Sequence, residues 1–95
     1  MSPRYTVIWK RVLIERKLTA LVVQLMEQGG DVPSVTKAMA EIDRRLEFNP
    51  ETQGESRSNF ERVLVVPPLC VTFEVHEEEH IAYVLRASYV PKRAE

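Results

Sequence analysis

A grouping of histidines and glutamates at residues 76–80 is the most prominent candidate for chemistry in the chain. His76, Glu77 and His80 match the H-E-x-x-H pattern of zinc proteases. In that chemistry a helix places two histidines one turn apart as zinc ligands, and the glutamate acts as a general base. The spacing therefore serves catalysis only where the segment is helical.

The flanking residues instead predict a β-hairpin. Residues 69–75 alternate between apolar and polar side chains, and residues 81–87 form a second apolar strand. A zinc site also needs a third protein ligand, and only Glu74, Glu95 or another acid of the turn lies near in sequence. The sequence therefore favours a charged hairpin tip and no metal. A helix over residues 70–88 that holds zinc would overturn this interpretation.

The alternation also predicts how the two strands of the hairpin pair. Pairing Val75 with Ile81 brings the larger apolar residues of both strands onto one face, which supports this register. Cys70 then lies on the other face, opposite Arg86. A lone cysteine on a sheet is usually a small packing residue.

The composition indicates one ordinary small domain over residues 1–95. Hydrophobic residues make up 44% of the chain and charged residues 28%, which excludes a disordered tail or a fibre. A single cysteine excludes a disulfide-stapled mini-protein. No apolar run approaches the roughly 18–20 residues of a membrane span, and the N-terminus lacks a signal-peptide core. We expect a soluble cytoplasmic domain.

The charges are distributed unevenly although the net charge is only −1. Residues 1–26 hold five basic residues and one acid, whereas residues 27–80 hold five basic and twelve acidic residues. Residues 81–95 are again basic, with three basic residues against one acid. A nucleic-acid binder usually shows a basic domain, and this chain shows at most a local basic patch.

The remaining periodicities predict two helices and two further strands. Tyr5–Lys10 and Phe60–Val66 are predicted strands, and residues 49–59 are a long loop between the second helix and the second strand. The second helix begins at the N-cap Asp31 and ends before Asn49. The stripe predicted to face the core comprises Ile14, Leu18, Leu21, Val22 and Leu25 in the first helix and Val35, Met39, Ile42 and Leu46 in the second.

The first helix carries a second, weaker apolar strip on its other side, formed by Val12, Thr19, Val23 and Met26. A helix that is apolar on two sides needs two neighbours. One neighbour is a sheet, and the other is the next helix or a partner protein. The element order, strand, helix, helix and then three strands, predicts a two-layer α+β domain with a helical hairpin packed on an antiparallel sheet.

Several short motifs in this order resemble the RelE/ParE superfamily of type II toxin–antitoxin toxins. The resemblance runs from Tyr5 to about Ala87, and the expected fold is the RelE/ParE-like β-α-α-β-β-β arrangement. The motifs are Tyr5-x-Val7-x-Trp9, Ala38-x-x-x-Ile42-Asp43-x-x-Leu46-x-x-x-Pro50, Gly54-x-Ser56-Arg57, Arg62-Val-Leu and Pro68-Leu69-x-Val71-x-Phe73-x-Val75.

The resemblance implies a cytoplasmic toxin that a cognate antitoxin holds inactive. RelE-like members cut mRNA on the ribosome, and ParE-like members poison DNA gyrase. We therefore expect growth inhibition through translation or gyrase, with a non-catalytic, degenerate binding module as a further alternative. No cofactor and no metal are expected. The expected partners are the antitoxin, the ribosome with its mRNA or gyrase, and a homodimer or a toxin–antitoxin hetero-oligomer is the expected assembly.

A metal-free RNase needs clustered cations and a nearby tyrosine or histidine. Arg62, Arg86 and Tyr89 are the candidate catalytic residues under that alternative. The strand position that carries an arginine in RelE-like toxins falls here on Cys70, so the catalytic match is poor. The candidates for binding the target or the antitoxin are Lys10, Arg16, Lys17, Arg57, Lys92 and Arg93.

Overall fold

Two helices pack against one face of a five-stranded mixed sheet, which confirms a two-layer α+β protein. The computed structural model describes residues 4–57 and 60–90. No helix in this described part is long and apolar enough to cross a membrane. The strands are β1 (Thr6–Trp9), β2 (Glu55–Ser56), β3 (Glu61–Val66), β4 (Leu69–His76) and β5 (Ile81–Tyr89). The helices are a π-helical segment (Leu13–Leu18) that continues into α1 (Thr19–Glu27), α2 (Val32–Glu47) and a short 3₁₀ turn (Pro50–Thr52).

The expectation of a wholly antiparallel sheet is wrong, because β1 pairs with β5 in parallel. The strand order is β1-β5-β4-β3-β2. The end of α2 lies beside the start of β1, where the amide of Tyr5 donates to the carbonyl of Glu47 at 2.9 Å. The antiparallel run β3-β4-β5 therefore begins near the end of the sheet at which β1 begins. Two reversals later β5 runs in the direction of β1.

The first helix buries the predicted stripe except at its start. Leu18 and Leu25 are buried and Leu21 and Val22 pack against the core, as predicted. Its start is π-helical, with hydrogen bonds reaching one residue further than in an α-helix. Leu13 and Leu18, five residues apart, therefore both enter the core. Ile14, predicted to be buried, is exposed, because its pairing with Leu18 assumed α-helical spacing.

The second helix forms as predicted. The carboxylate of Asp31 accepts a hydrogen bond from the amide of Ser34 at 3.2 Å and caps the N-terminus. This bond and a second one from the Ser34 hydroxyl hold the pKa of Asp31 below its ordinary value. The buried stripe of α2 comprises Val35, Ala38, Ile42 and Leu46, and Met39 packs against its edge.

On the solvent side of α2, Glu41 binds two arginines. Its carboxylate accepts from Arg44 at 2.6 Å and from Arg45 at 2.8 Å. These hydrogen bonds lower the pKa of Glu41 to about 2. The pairs lie three and four residues apart on one face, a spacing that supports a helix modestly.

The core lies between the two helices and alternate residues of the sheet. Leu69, Val71 and Phe73 of β4 are fully buried, so the predicted inward face of this strand is confirmed. From β5, however, Ala82, Val84 and Ala87 enter the core. The predicted register instead places Ile81, Tyr83 and Leu85 on that face, and these three residues are only half-buried.

The predicted pairing of the hairpin is wrong by one residue. His76, not Val75, pairs with Ile81, and Val75 pairs with Ala82. Leu85 is an extra residue between the pairs Thr72–Arg86 and Phe73–Val84, which is a β-bulge.

Because the pairing is shifted by one residue and the bulge shifts it by one more, Cys70 also has a different neighbour from the one predicted. It lies opposite Ser88 on β5 and Val65 on β3, not opposite Arg86.

The segment predicted as a plain loop holds two short elements. Pro50 is buried in the 3₁₀ turn, and β2 extends the sheet by pairing with β3. Gly54 adopts a positive φ of 66° directly before β2. A Cβ atom at this position would lie 2.1 Å from the carbonyl oxygen of Val63, so only glycine allows this close approach.

We predict that Gly54→Ala destabilises the fold more than Gly29→Ala does. Both glycines have a positive φ, but a Cβ atom at Gly29 would have no atom within 4 Å. Gly29→Ala should therefore lower the free energy of unfolding by about 1–2 kcal/mol, because alanine is strained in a left-handed backbone. Gly54→Ala adds a backbone clash. Urea denaturation of both variants measures the difference, and equal losses would show that β2 does not approach Val63 this closely.

The π-helical register makes a second prediction. Leu13→Ala should cost about 2–5 kcal/mol, because it empties a core position, whereas Ile14→Ala should cost well under half of that. An α-helical start would give the opposite order. Thermal unfolding of the two single variants distinguishes the registers.

Candidate functional site

The histidine-glutamate segment forms the tip of the β4–β5 hairpin, as the flanking alternation predicts. His76 ends β4 and interacts with Glu74, whose Oε1 lies 3.1 Å from its Nε2, and its ring meets Tyr83 edge-on. His80 lies in the turn, where its ring meets Tyr5. In residues 4–57 and 60–90, no three His, Cys, Asp or Glu side chains are arranged to hold a metal ion.

Arg86 lies on the sheet face that points away from the helices. The bulge at Leu85 is responsible, because without it Arg86 would share the core face with Val84. The guanidinium forms an ion pair with Glu61 of β3. The side chain remains well exposed, so this pair is a surface interaction.

Arg62 lies on the opposite face of the sheet from Arg86. Its partner across the ladder is the buried Phe73, which places it on the helix side. The guanidinium donates to the carbonyl oxygen of Gln53 at 2.8 Å and to that of Gly54 at 3.1 Å. Arg62 therefore fastens the 50–56 segment to β3.

Tyr89, the last residue of β5, lies opposite Leu69 and thus on the helix-facing side of the ladder. The structure therefore does not bring Arg62, Arg86 and Tyr89 together on one surface. The guanidinium of Arg57 lies 3.7 Å from the carboxylate of Glu55. Lys92 and Arg93 lie outside the described residues. The roles assigned to all six residues stay predictions.

An open cavity of about 540 Å³ lies between the hairpin tip and a wall that includes Glu51, Ser56 and Glu61. Its charged lining is mainly carboxylate, from Glu51, Glu61 and the three consecutive glutamates 77–79, and Arg62 and His76 also line it. Two of these carboxylates also influence the ionisation of Tyr5. Burial and the carboxylates of Glu51 and Glu77 raise the pKa of its hydroxyl. Sequence reasoning missed this cavity, because its two walls come from segments that are separate in the chain.

The first helix exposes four large apolar side chains, Val12, Ile14, Val23 and Met26. Val12, Val23 and Met26 belong to the predicted second strip, and Ile14 is exposed because of the π-helical register. Lys10, directly before this helix, and Arg16 and Lys17 within it are also exposed, and their binding roles stay predictions.

Comparison with protein-family models, with curated proteins and with solved structures finds no match to the chain. The structure itself defines a class, a two-layer α+β protein with two helices on one side of a mixed five-stranded sheet. No helix in the described part of the chain covers the second face of that sheet.

We predict that substitutions of Arg62 and Arg86 lower stability by different amounts. Arg62→Gln should cost about 1–3 kcal/mol, because two backbone carbonyls lose a charged donor. Arg86→Gln, the matched control on the other face, should cost about 0–1 kcal/mol, because it removes a surface ion pair. Urea denaturation measures both. A larger loss in Arg86→Gln would contradict the roles described.

Proposed function

We propose that the chain is the toxin component of a type II toxin–antitoxin system, similar to the RelE/ParE superfamily and neutralised by a cognate antitoxin. One observation carries the proposal. The indole Nε1 of Trp9 donates to Oδ1 of Asp43 at 2.5 Å. These two residues belong to two separate motifs of the resemblance, 34 residues apart in the chain.

Other motifs of the resemblance contact one another in the same way. Arg62 donates to the carbonyl of Gly54, which joins the third motif to the fourth. Ile42 of the helix motif and Phe73 of the strand motif share the core. Residues that carry the resemblance therefore contact one another and share the core, which supports the proposal.

The positions of the cations favour inhibition by binding over mRNA cleavage. A metal-free RNase needs its cations and its proton donor around one phosphate. Here Arg62 binds backbone carbonyls on the helix side, and Arg86 binds Glu61 on the other face. The proposed toxin therefore acts by binding a component of translation or DNA gyrase.

Induced expression of the chain should arrest growth, and co-expression with the product of the adjacent gene should restore it. A stable complex of the two proteins should co-purify. Growth curves and size-exclusion chromatography measure both results, with an early stop codon in the same vector as the control for plasmid load. Undisturbed growth at high soluble expression would contradict the proposal.

Two assays with purified protein then separate the targets. Loss of DNA supercoiling by gyrase, with intact transcripts in a translation extract, supports binding to gyrase. Stalled translation with intact transcripts supports a translation target. Transcripts cut at defined positions in primer extension would overturn the preference for binding and restore the RNase alternative.

A further inference from the structure

We propose that two copies of the chain pair through the free edge of β1, with the two strands antiparallel and the two-fold axis at Ile8. This pairing joins the sheets of the two copies into one continuous sheet. It goes beyond the proposed function, because it depends on the edge of the sheet and on no toxin target.

The backbone groups of β1 that point away from β5 are unpaired. The amide of Thr6 points toward β5 and donates to the carbonyl of His80 at 2.8 Å. Because successive residues of a strand direct their backbone groups to opposite sides, those of Val7 and Trp9 point to the open side of the sheet. In residues 4–57 and 60–90, no second strand pairs with β1 and no other backbone group accepts from these two amides. Such a row of unpaired groups is a template for another strand.

The free stretch of this edge is short and centred on Ile8. The amide of Tyr5 also points to the open side, but it donates to the carbonyl of Glu47 at 2.9 Å, so the end of α2 occupies the edge there. At its other end, β1 stops at Trp9 and the first helix follows. A pairing that is symmetric about Ile8 therefore uses the whole free stretch, from Val7 to Trp9.

The symmetric register places complementary side chains opposite one another. Ile8 is 37% exposed, and it lies opposite the partner's Ile8. Trp9 lies opposite the partner's Val7, and each such pair exchanges its two backbone hydrogen bonds. Aromatic and β-branched residues are favourable cross-strand partners. A second copy of the chain therefore supplies both the backbone and the side-chain partners, and the two-fold arrangement is closed.

The charges near β1 also fit a second copy. The exposed Lys10 lies, in this register, opposite the partner's Thr6 and so beside the C-terminal end of the partner's α2. The free carbonyls at a helix C-terminus favour a cation. The cations already at that end are paired, Arg4 with Glu47 and the two arginines of the last turn with Glu41.

The other edge of the sheet is protected against such pairing. It is formed by β2, which has two residues, and the charged Glu55 and Arg57 lie in or directly after it. In contrast, β1 has four residues and none of them is charged. Short and charged edges oppose pairing between sheets, so the edge of β1 is the one that favours it.

Sedimentation equilibrium of the purified chain at about 10 to 500 µM tests the proposal. Because the interface is short, we expect a weak dimer with a Kd on the order of 10–100 µM. Ile8→Lys should weaken the dimer about tenfold or more, because two lysines then lie opposite each other. Val65→Lys is the matched control, since Val65 is 51% exposed on β3 and lies away from the β1 edge. It should leave the Kd within about twofold.

Two further variants locate the axis and the backbone pairing. Ile8→Glu alone should also weaken the dimer, but an equal mixture of Ile8→Lys and Ile8→Glu should dimerise about tenfold more tightly than either variant alone. Only a pairing that places the two Ile8 side chains opposite each other gives this rescue. Val7→Pro removes an amide that points to the open side and leaves the ladder with β5 intact, so it should weaken the dimer as well.

A chain that stays monomeric at all these concentrations would overturn the proposal. So would equal effects of Ile8→Lys and Val65→Lys, or a mixture of the two Ile8 variants that does not dimerise. Circular dichroism and thermal midpoints show that each variant is folded. A chain that arrests growth but stays monomeric rejects only the dimer, whereas a dimer that does not arrest growth rejects only the proposed toxin function.

Discussion

The position of β1 is the constraint on which the arrangement of the layers depends. This strand has four residues, lies at the sheet edge, and pairs with β5, about 75 residues later in the chain. Two further hydrogen bonds attach β1 and the residue before it to α2. The indole of Trp9 donates to Asp43, and the amide of Tyr5 donates to the carbonyl of Glu47. A short edge strand with so few ladder bonds needs such bonds to hold its register.

Where α2 holds β1, it also decides which surfaces stay uncovered. The helical hairpin lies over the face of the sheet that carries Phe73 and Val84, and both of these residues are fully buried. The opposite face keeps Arg86 and Glu61 at the surface, and the first helix keeps several apolar side chains exposed. A small domain leaves part of its apolar surface outside its core.

The fold was predictable where local pattern and tertiary packing agree. Asp31 caps α2, its apolar residues follow α-helical spacing, and Leu69, Val71 and Phe73 alternate cleanly into the core. The same reasoning failed where one inserted residue changes the period. The π-helical turn moves Leu13 inward, and the bulge at Leu85 changes which residues of β5 face the helices. The sequence marks neither insertion, because Leu13 and Ile14 are both apolar, and so are Val84 and Leu85.

The candidate site shows the same limits at the level of single side chains. Arg62 lies on the core side because it alternates with Leu64 and Val66, so its face could be read from the strand pattern. Its partners could not, because the carbonyls of Gln53 and Gly54 belong to a segment whose sequence predicts only a loop. The outward position of Arg86 was expected, but its actual cause is the bulge and not the predicted register. A residue's face therefore follows from its own strand, whereas its contacts depend on segments that only the tertiary fold brings near. The first helix combines both kinds of information. Its cations are visible in the sequence, and the exposure of Ile14 follows only from the π-helical turn.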